Sequence, residues 1–341
     1  GGEAMAACGV ASLFPLHDLA LMGLLEVLPR LHHLRQRLQQ TATDIAARRP
    51  DVVVTIDSPG FTLRLLRTIQ PLGVRRVHYV APQVWAWRER RVRHYRGLWD
   101  RLLCLLPFEP EFFARHDLRA TFVGHPVLES GADNGDAARF RAGHGIDPAA
   151  RTLTLMPGSR RTEVSRLLPI LGATLRQLPD LVPVVPLAGP VAATVETATR
   201  DWPRRPLLVQ DTPAKHDAFA ASTIALTKSG TSTLELAMAA VPMVVTYRVN
   251  PLTAAIARRL IKVQYAALVN LLAQREVVPE LIQEACTPDR LAAAIRQLLD
   301  DAAAADRQRA GFHEVLARLR PPVGLPSDAA AAAVLELLDQ P

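Results

Sequence analysis

The sequence predicts an α/β protein of two domains, each a parallel β-sheet covered by helices. Three observations predict this. The chain has 341 residues, more than one ordinary core needs, and short β-rich runs alternate with helical patterns along it. A polar break at 131–135 interrupts the alternation, which then starts again. We therefore expect one domain over 1–130, a second over 131–310, and C-terminal helices over 311–341 that pack back on the first domain or on a partner.

The predicted strands divide between the two domains as four and four. They are 52–56, 76–80, 102–106 and 121–123 in the first, and 153–156, 182–187, 224–227 and 242–246 in the second. Helical patterns between them favour parallel pairing. Ligands bind beyond the carboxyl ends of the strands in such sheets. The turns that follow the strands are therefore the places where a site is expected.

Composition narrows the class of protein. The longest apolar stretches, such as 236–247, are about a dozen residues long and fall short of the roughly 20 that span a bilayer. Cys8, Cys104 and Cys286 form no CxxC or Cys/His cluster, so neither disulfides nor zinc are expected and a reducing compartment fits. The net charge of +7 predicts an anionic partner, namely nucleic acid, a membrane surface or a phosphorylated substrate, unless GC-rich coding explains the arginines.

The beginning of the chain shows no signal peptide, because GGEAMAACGV has no basic stretch followed by a long apolar one. It also has no initiator Met. We expect that the natural N-terminus lies further upstream.

A small, hydroxyl-rich turn of Ser229, Gly230 and Thr231 lies between a predicted strand and a helix that starts near Ser232. Free N–H groups and the helix dipole favour phosphate at such a place. Glu235, about one turn into the helix, could accept hydrogen bonds from ribose hydroxyls. The alternative is an ordinary capped helix with Glu235 on its solvated face.

A similar turn of Gly158, Ser159 and Arg160 follows the first strand of the second domain. The planar guanidinium of Arg160 suits a diphosphate, although an arginine here could also be an ordinary surface residue. Two phosphate-suited turns in one domain support each other.

In the first domain, Asp57 directly follows an apolar strand. A carboxylate at the end of a strand can act as general base toward an attacking hydroxyl. The alternative is an N-cap, because Asp-Ser-Pro-Gly is also typical of a turn.

Metal ligands are not suggested by any motif. The chain contains no Asp-x-Asp and no HExxH. A leaving diphosphate would then be stabilised by arginine and backbone N–H groups, without a metal.

Two further segments could contact lipid. Residues 83–101 interleave aromatic side chains with arginine, which suits bases or a headgroup boundary unless the aromatics are in the core. Residues 16–38 form a helical pattern that is apolar nearly all round in its first half, which favours either burial or contact with lipid.

Six successive motifs resemble those of the lipid-A-disaccharide synthase family, in the same order and with similar spacing. They are His78 to Arg88, Leu106 to Glu109, Phe122 to Pro126, Met156 to Arg160, Ser229 to Glu235, and Val269 to Leu272. The resemblance implies a GT-B architecture, in which two Rossmann-like domains face each other across a cleft. It implies inverting transfer of 2,3-diacylglucosamine from its UDP derivative to the 6-hydroxyl of 2,3-diacylglucosamine 1-phosphate, giving a β-1,6 disaccharide 1-phosphate and UDP.

The resemblance also assigns roles to residues. It implies that Asp57 is the general base and that Arg160, Glu235 and Asn270 belong to the donor site, with the Ser229 to Thr231 turn at the diphosphate. On the acceptor or lipid side we expect His78, Trp85, Trp87, Arg88, Met22 and Leu25.

The resemblance further implies no cofactor, no nucleic acid, peripheral attachment at the cytoplasmic face of the inner membrane, and a homodimer as one arrangement. The family's first strand and the Ser-Gly loop after it have no counterpart here. Two alternatives remain at this stage: a GT-B transferase or UDP-sugar epimerase with a soluble substrate, and a non-catalytic binder of nucleic acid or membrane.

Overall fold

The computed structural model describes residues 2–19 and 31–339. Met22 and Leu25 lie outside the described residues. The chain forms two compact units: Gly1–Gly124 with Pro321–Pro341, and His125–Arg320.

The first unit contains a four-stranded sheet in the order β1-β2-β3-β4, with every pairing parallel. Its strands are β1 Val52–Ile56, β2 Arg75–Tyr79, β3 Arg101–Cys104 and β4 Ala120–Phe122. The α-helices of its first segment are α1 Glu3–Ala7, α2 Leu31–Arg48, α3 Pro59–Ile69, α4 Val84–Trp87 and α5 Glu109–Ala114. Short 3₁₀ helices occur at Leu16–Asp18, Gln70–Leu72 and Glu89–Tyr95.

Alternation along β3 separates the two apolar faces of this sheet. Leu102 and Cys104 lie in the core with α3 and α5, whereas Leu103 points the other way. Helix α15, Pro326–Leu338, covers that second face with Ala333 and Leu337. The last helix therefore packs on the first unit of its own chain.

The second unit contains a six-stranded parallel sheet in the order β10-β9-β8-β5-β6-β7. Its strands are β5 Thr152–Met156, β6 Val182–Pro186, β7 Leu207–Val209, β8 Ile224–Lys228, β9 Met243–Tyr247 and β10 Glu280–Ile282. The chain begins at the centre with β5, continues outward through β6 and β7, and returns beside β5 with β8. The point at which the strand order reverses therefore lies between β5 and β8.

Helices connect these strands. They are α6 Ala137–His144, α7 Arg161–Leu175, α8 Ala192–Ala198, α9 Thr212–Ala220, α10 Ser232–Met238, α11 Pro251–Leu260, α12 Leu268–Ala273, α13 Pro288–Asp300 and α14 Ala302–Arg318. Short 3₁₀ helices occur at Pro126–Glu129, Gly189–Val191 and Gln283–Ala285. Several of these helices begin with a side-chain N-cap. At the start of α13, Thr287 precedes a proline, and its hydroxyl accepts a hydrogen bond from the Arg290 N–H.

The prediction of an α/β protein with parallel sheets is confirmed. Strands β7 and β10 are not among the strands predicted from the sequence. Each has only three residues, too few for a period of two to be distinguished from a loop.

Candidate active site

The two predicted phosphate turns lie side by side in the second unit. Residues 157–160 follow β5 and residues 229–231 follow β8, and Met156 pairs with Thr227 at the carboxyl ends of these strands. This is the reversal point of the strand order, where open α/β sheets bind their ligands. The fold thus brings together two turns that are about 70 residues apart in the sequence.

Glycine is required in both turns. Gly158 has φ +112°, and a Cβ there would lie 2.8 Å from Oε2 of Glu163. A Cβ on Gly230 would lie 3.2 Å from Nζ of Lys228. Both glycines therefore let the backbone pass directly over charged side chains.

Those side chains form an ionic cluster that the sequence pattern does not predict. Oε1 of Glu163 accepts a hydrogen bond from Arg160 Nη1 at 2.9 Å and lies 3.4 Å from Nζ of Lys228. Glu163 is only 4% exposed, whereas the Arg160 side chain is 47% exposed. Burial lowers the pKa of Lys228, and the negative charge of Glu163 opposes that shift. In the sequence, Glu163 looks like an ordinary acidic residue in the first turn of a helix.

Ser229 and Thr231 occupy different positions in their turn. The Ser229 hydroxyl donates to the carbonyl of Ala266 at 2.7 Å, which ties the turn to the loop before α12. Thr231 is exposed and precedes α10 without a side-chain capping bond. The alternative of an ordinary side-chain cap therefore does not describe this turn.

Glu235, on α10, is half-buried and accepts a hydrogen bond from Lys215 Nζ at 2.9 Å through Oε1. It is thus held by an ion pair instead of lying on a fully solvated face.

Asn270 is fully buried, so its side chain does not face the solvent from which a donor would approach. Its Nδ2 donates to the Val278 carbonyl and to Oε1 of Glu280, and its Oδ1 accepts from the N–H groups of Val277 and Val278. The Glu280 carboxylate also accepts from the N–H of Ala266, whose carbonyl holds Ser229. The structure gives Asn270 an indirect connection to the phosphate turn.

Replacing Asn270 with alanine should lower the free energy of unfolding by about 2–4 kcal/mol, because several buried polar groups lose their partners. Chemical denaturation measures this, with the exposed Asn134→Ala as the control. A loss no larger than that of the control would contradict the indirect role.

In the first unit, the carboxyl ends of β1 and β2 carry unusual backbone. Asp57, Ser58 and Val80 have φ of +47°, +47° and +76°, a region that β-branched residues in particular avoid. Such strain tends to accumulate at functional sites. Asp57 is exposed, and its carboxylate has no hydrogen-bond partner among residues 2–19 and 31–339. The alternative that Asp57 caps the helix is not supported.

Two of the motifs that resemble the family's meet through a partly buried contact in the first unit. Trp85 donates its indole N–H to Oε1 of Glu109 at 3.0 Å and packs edge-on against Phe108 at 4.9 Å. The other oxygen of Glu109 accepts from the N–H groups of Leu105 and Leu106. Burial raises the pKa of Glu109 to about 7, against the opposing effect of these donors. Trp85 therefore joins the two loops.

The basic and aromatic segment 83–101 is divided between core and surface. Tyr95 and Trp99 are buried. Trp87 is 41% exposed and carries the Arg88 guanidinium over its ring at 3.8 Å. Of the aromatics in this segment, Trp87 offers the largest surface to a ligand.

His78 is completely buried, which places it inside the first unit instead of on a lipid-facing surface. Its Nδ1 lies 2.8 Å from the hydroxyl of Thr55, and its ring stacks on Trp99. Burial lowers the pKa of His78 to about 4.

His78 should make the first unit sensitive to acid. Because the folded pKa of about 4 lies below the usual 6.5, the unfolded chain binds the proton more readily. The contribution of neutral His78 to the free energy of unfolding is fully present above pH 6.5 and is lost as the pH falls toward 4. Lowering the pH from 7 to 5 should cost about 2 kcal/mol through this group. Urea denaturation at both pH values measures it. The difference should shrink by that amount in His78→Gln, and an unchanged difference would contradict the assignment.

Neither a metal cluster nor a membrane span is seen in the part of the chain that the structure describes. No group of three or more His, Cys, Asp or Glu there could hold a metal ion. None of the helices described is both long and apolar enough to cross a bilayer.

Solved structures share this fold at low sequence identity. The UDP-GlcNAc 2-epimerase from Neisseria meningitidis bound to UDP-GlcNAc has a TM-score of 0.63 at 13% identity, over 98% of this chain and 88% of that one. A glycosyltransferase from Rickettsia africae has a TM-score of 0.55 at 10% identity, over 100% of this chain and 88% of that one. These likenesses concern the fold alone, and they agree with the predicted GT-B class.

The sequence comparisons are more specific. The family model described as lipid-A-disaccharide synthetase matches residues 1–334. A lipid-A-disaccharide synthase of Gluconobacter oxydans is 60% identical over 345 residues, covering 100% of this chain and 83% of the relative. The lipid-A-disaccharide synthase of Granulibacter bethesdensis is 59% identical over 355 residues, covering 100% of this chain and 90% of that relative. The chain therefore belongs to the lipid-A-disaccharide synthetase family and is a glycosyltransferase of the GT-B class.

Proposed function

We propose that this enzyme transfers 2,3-diacylglucosamine from UDP-2,3-diacylglucosamine to the 6-hydroxyl of 2,3-diacylglucosamine 1-phosphate. The products are the β-1,6 disaccharide 1-phosphate and UDP. The observation that carries the proposal is the ionic cluster beneath two glycine-containing turns at the reversal point of the second sheet. Membership of the family supports the choice of a UDP-sugar as donor.

The donor diphosphate would lie over Gly158 and Gly230, with Ser159 and Thr231 beside it. The guanidinium of Arg160 is half exposed and already oriented by Glu163, so little ordering is needed when phosphate binds. Glu235 would face the ribose, held in place by Lys215. Asn270 would act through Glu280 and Ala266 on the Ser229 turn.

The acceptor would bind to the first unit. Asp57 is exposed at the strained end of β1, where its carboxylate could take the proton of the 6-hydroxyl. Exposed apolar side chains near the start of the chain offer surface for acyl chains; they are Met5, Val10, Leu13 and Leu16. Trp87 and Arg88 suit a phosphate at a lipid headgroup boundary. The enzyme would then work at the cytoplasmic face of the inner membrane, with a homodimer as one arrangement.

The reaction would be a single displacement that inverts the configuration at C1. The acceptor oxygen forms its bond to C1 while the bond from C1 to the β-phosphate oxygen breaks, and the electron pair leaves with UDP. Asp57 receives the hydroxyl proton. Arg160 and backbone N–H groups of the turns stabilise the charge that develops on the leaving diphosphate.

An assay with matched substrates tests the proposal. The protein should release UDP from UDP-2,3-diacylglucosamine only when the diacylated acceptor is present. UDP-GlcNAc, which lacks the acyl chains, should not support transfer. The solved epimerase noted above makes epimerisation of UDP-GlcNAc the relevant competing activity. Its detection, or equal transfer from UDP-GlcNAc, would contradict the proposal.

A further inference from the structure

Lys228 lies directly beneath the phosphate turn. It is the last residue of β8, and its side chain is only 16% exposed. A Cβ on Gly230 would lie 3.2 Å from its Nζ, so the ammonium group lies beside Gly230, close to where a side chain at that position would be. The side chain therefore ends where a diphosphate on this turn would be closest.

The charges around Lys228 do not balance. Oε1 of Glu163 faces both Arg160 and Lys228, and the Glu163 carboxylate also interacts with the Tyr247 side chain. Tyr247, at the end of β9, completes the cluster, with its ring 5.7 Å from Nζ of Lys228. Burial and the charge of Glu163 both raise the pKa of Tyr247, so it stays neutral. Two cations against one anion leave a net positive charge.

An ion pair alone does not account for this arrangement. The distance of 3.4 Å from Nζ to Oε1 is longer than the 2.9 Å by which Arg160 binds the same oxygen. An ammonium has three donors, and the longer contact leaves donors available on the side of the turn. A buried cation is also costly without an anion that compensates it.

We propose that Lys228 is a second cation that binds the donor diphosphate, and that Glu163 is the positioning residue that holds Lys228 and Arg160 beneath the turn. This assignment rests on the proposed function. Lys228 contacts the diphosphate from the side of the strand, and Arg160 contacts it from the side of α7. When the bond between C1 and the β-phosphate oxygen breaks, both cations stabilise the charge that the electron pair brings to UDP.

Calorimetric titration with UDP and with uridine tests the assignment. In Lys228→Met, UDP should bind roughly ten- to hundredfold more weakly, as the loss of one charge-assisted hydrogen bond predicts. Uridine should bind as it does to the wild type, because it carries no phosphate. Lys228→Arg should keep most of the affinity for UDP.

A second variant separates binding from folding. Lys228→Met leaves Glu163 with one fewer cation, whereas Lys228→Met with Glu163→Gln also removes the buried charge. The double variant should melt at a temperature close to that of the wild type and still bind UDP weakly. Recovery of UDP affinity in the double variant would overturn the assignment, because the loss would then come from the charge of Glu163, which only Arg160 still balances in Lys228→Met.

The outcomes distinguish the two proposals. If the wild type prefers UDP to uridine and Lys228→Met keeps the same preference, the role of Lys228 is wrong while the proposed donor site stands. If the wild type shows no preference for UDP, the proposed function fails, and the assignment of Lys228 fails with it.

Discussion

Replacing Asp57 with asparagine should lower kcat by about 10²- to 10⁴-fold, the usual contribution of a positioned general base. Asparagine has nearly the same shape and tolerates the left-handed backbone that Asp57 adopts, at φ +47°. The exchange therefore removes the base without adding backbone strain. Affinity for UDP should stay within about twofold of the wild type, because the residues that we propose bind the donor lie in the second unit.

The control is Asp51→Asn, an exposed carboxylate just before the same strand. It should keep normal turnover. Steady-state kinetics and UDP titration measure both variants. An unchanged kcat in Asp57→Asn would rule out the role of Asp57 as base. A loss of UDP affinity as large as the loss of kcat would indicate a structural role.

Replacing Arg160 with methionine should lower kcat by about 10²- to 10³-fold, the range seen when one donor to a developing anion is removed. The guanidinium is half exposed, but it holds the buried Glu163 at 2.9 Å, so we also expect a lower melting temperature, because the buried carboxylate loses its closer cation. Arg160→Lys should give an intermediate rate, because lysine keeps the charge but not the planar fork.

Arg161→Met provides the matched control, since Arg161 is the next residue and is exposed. Kinetics with the diacylated donor, together with thermal melting, separate catalysis from stability. A kcat for Arg160→Met equal to that of Arg161→Met would remove Arg160 from the site.

The sequence predicts much of this architecture because parallel strands repeat a strong apolar pattern followed by a turn. The positions of Gly158 and Gly230 follow from turn chemistry, and their proximity follows from the rule for strand ends. The ionic cluster of Arg160, Glu163 and Lys228 cannot be predicted from these local patterns. Glu163 and Lys228 are ordinary residues in their own elements, and only the reversal of strand order places them together.

Burial is the other property that the local pattern does not determine. Asn270 and His78 stand in motifs that resemble the family's functional signatures, and both are completely buried. Their polar groups form hydrogen bonds with neighbouring loops and strands inside the protein and do not reach the surface. The strain at Asp57, Ser58 and Val80 also depends on tertiary structure, since nothing in the residue types demands positive φ there.

A crystal structure with UDP bound would show whether the donor diphosphate is held between the ends of β5 and β8. We expect phosphate oxygens about 3 Å from the Arg160 guanidinium and from the backbone N–H groups of the Ser229 to Thr231 turn. A diphosphate that contacts neither the turn after β5 nor the turn after β8 would contradict it.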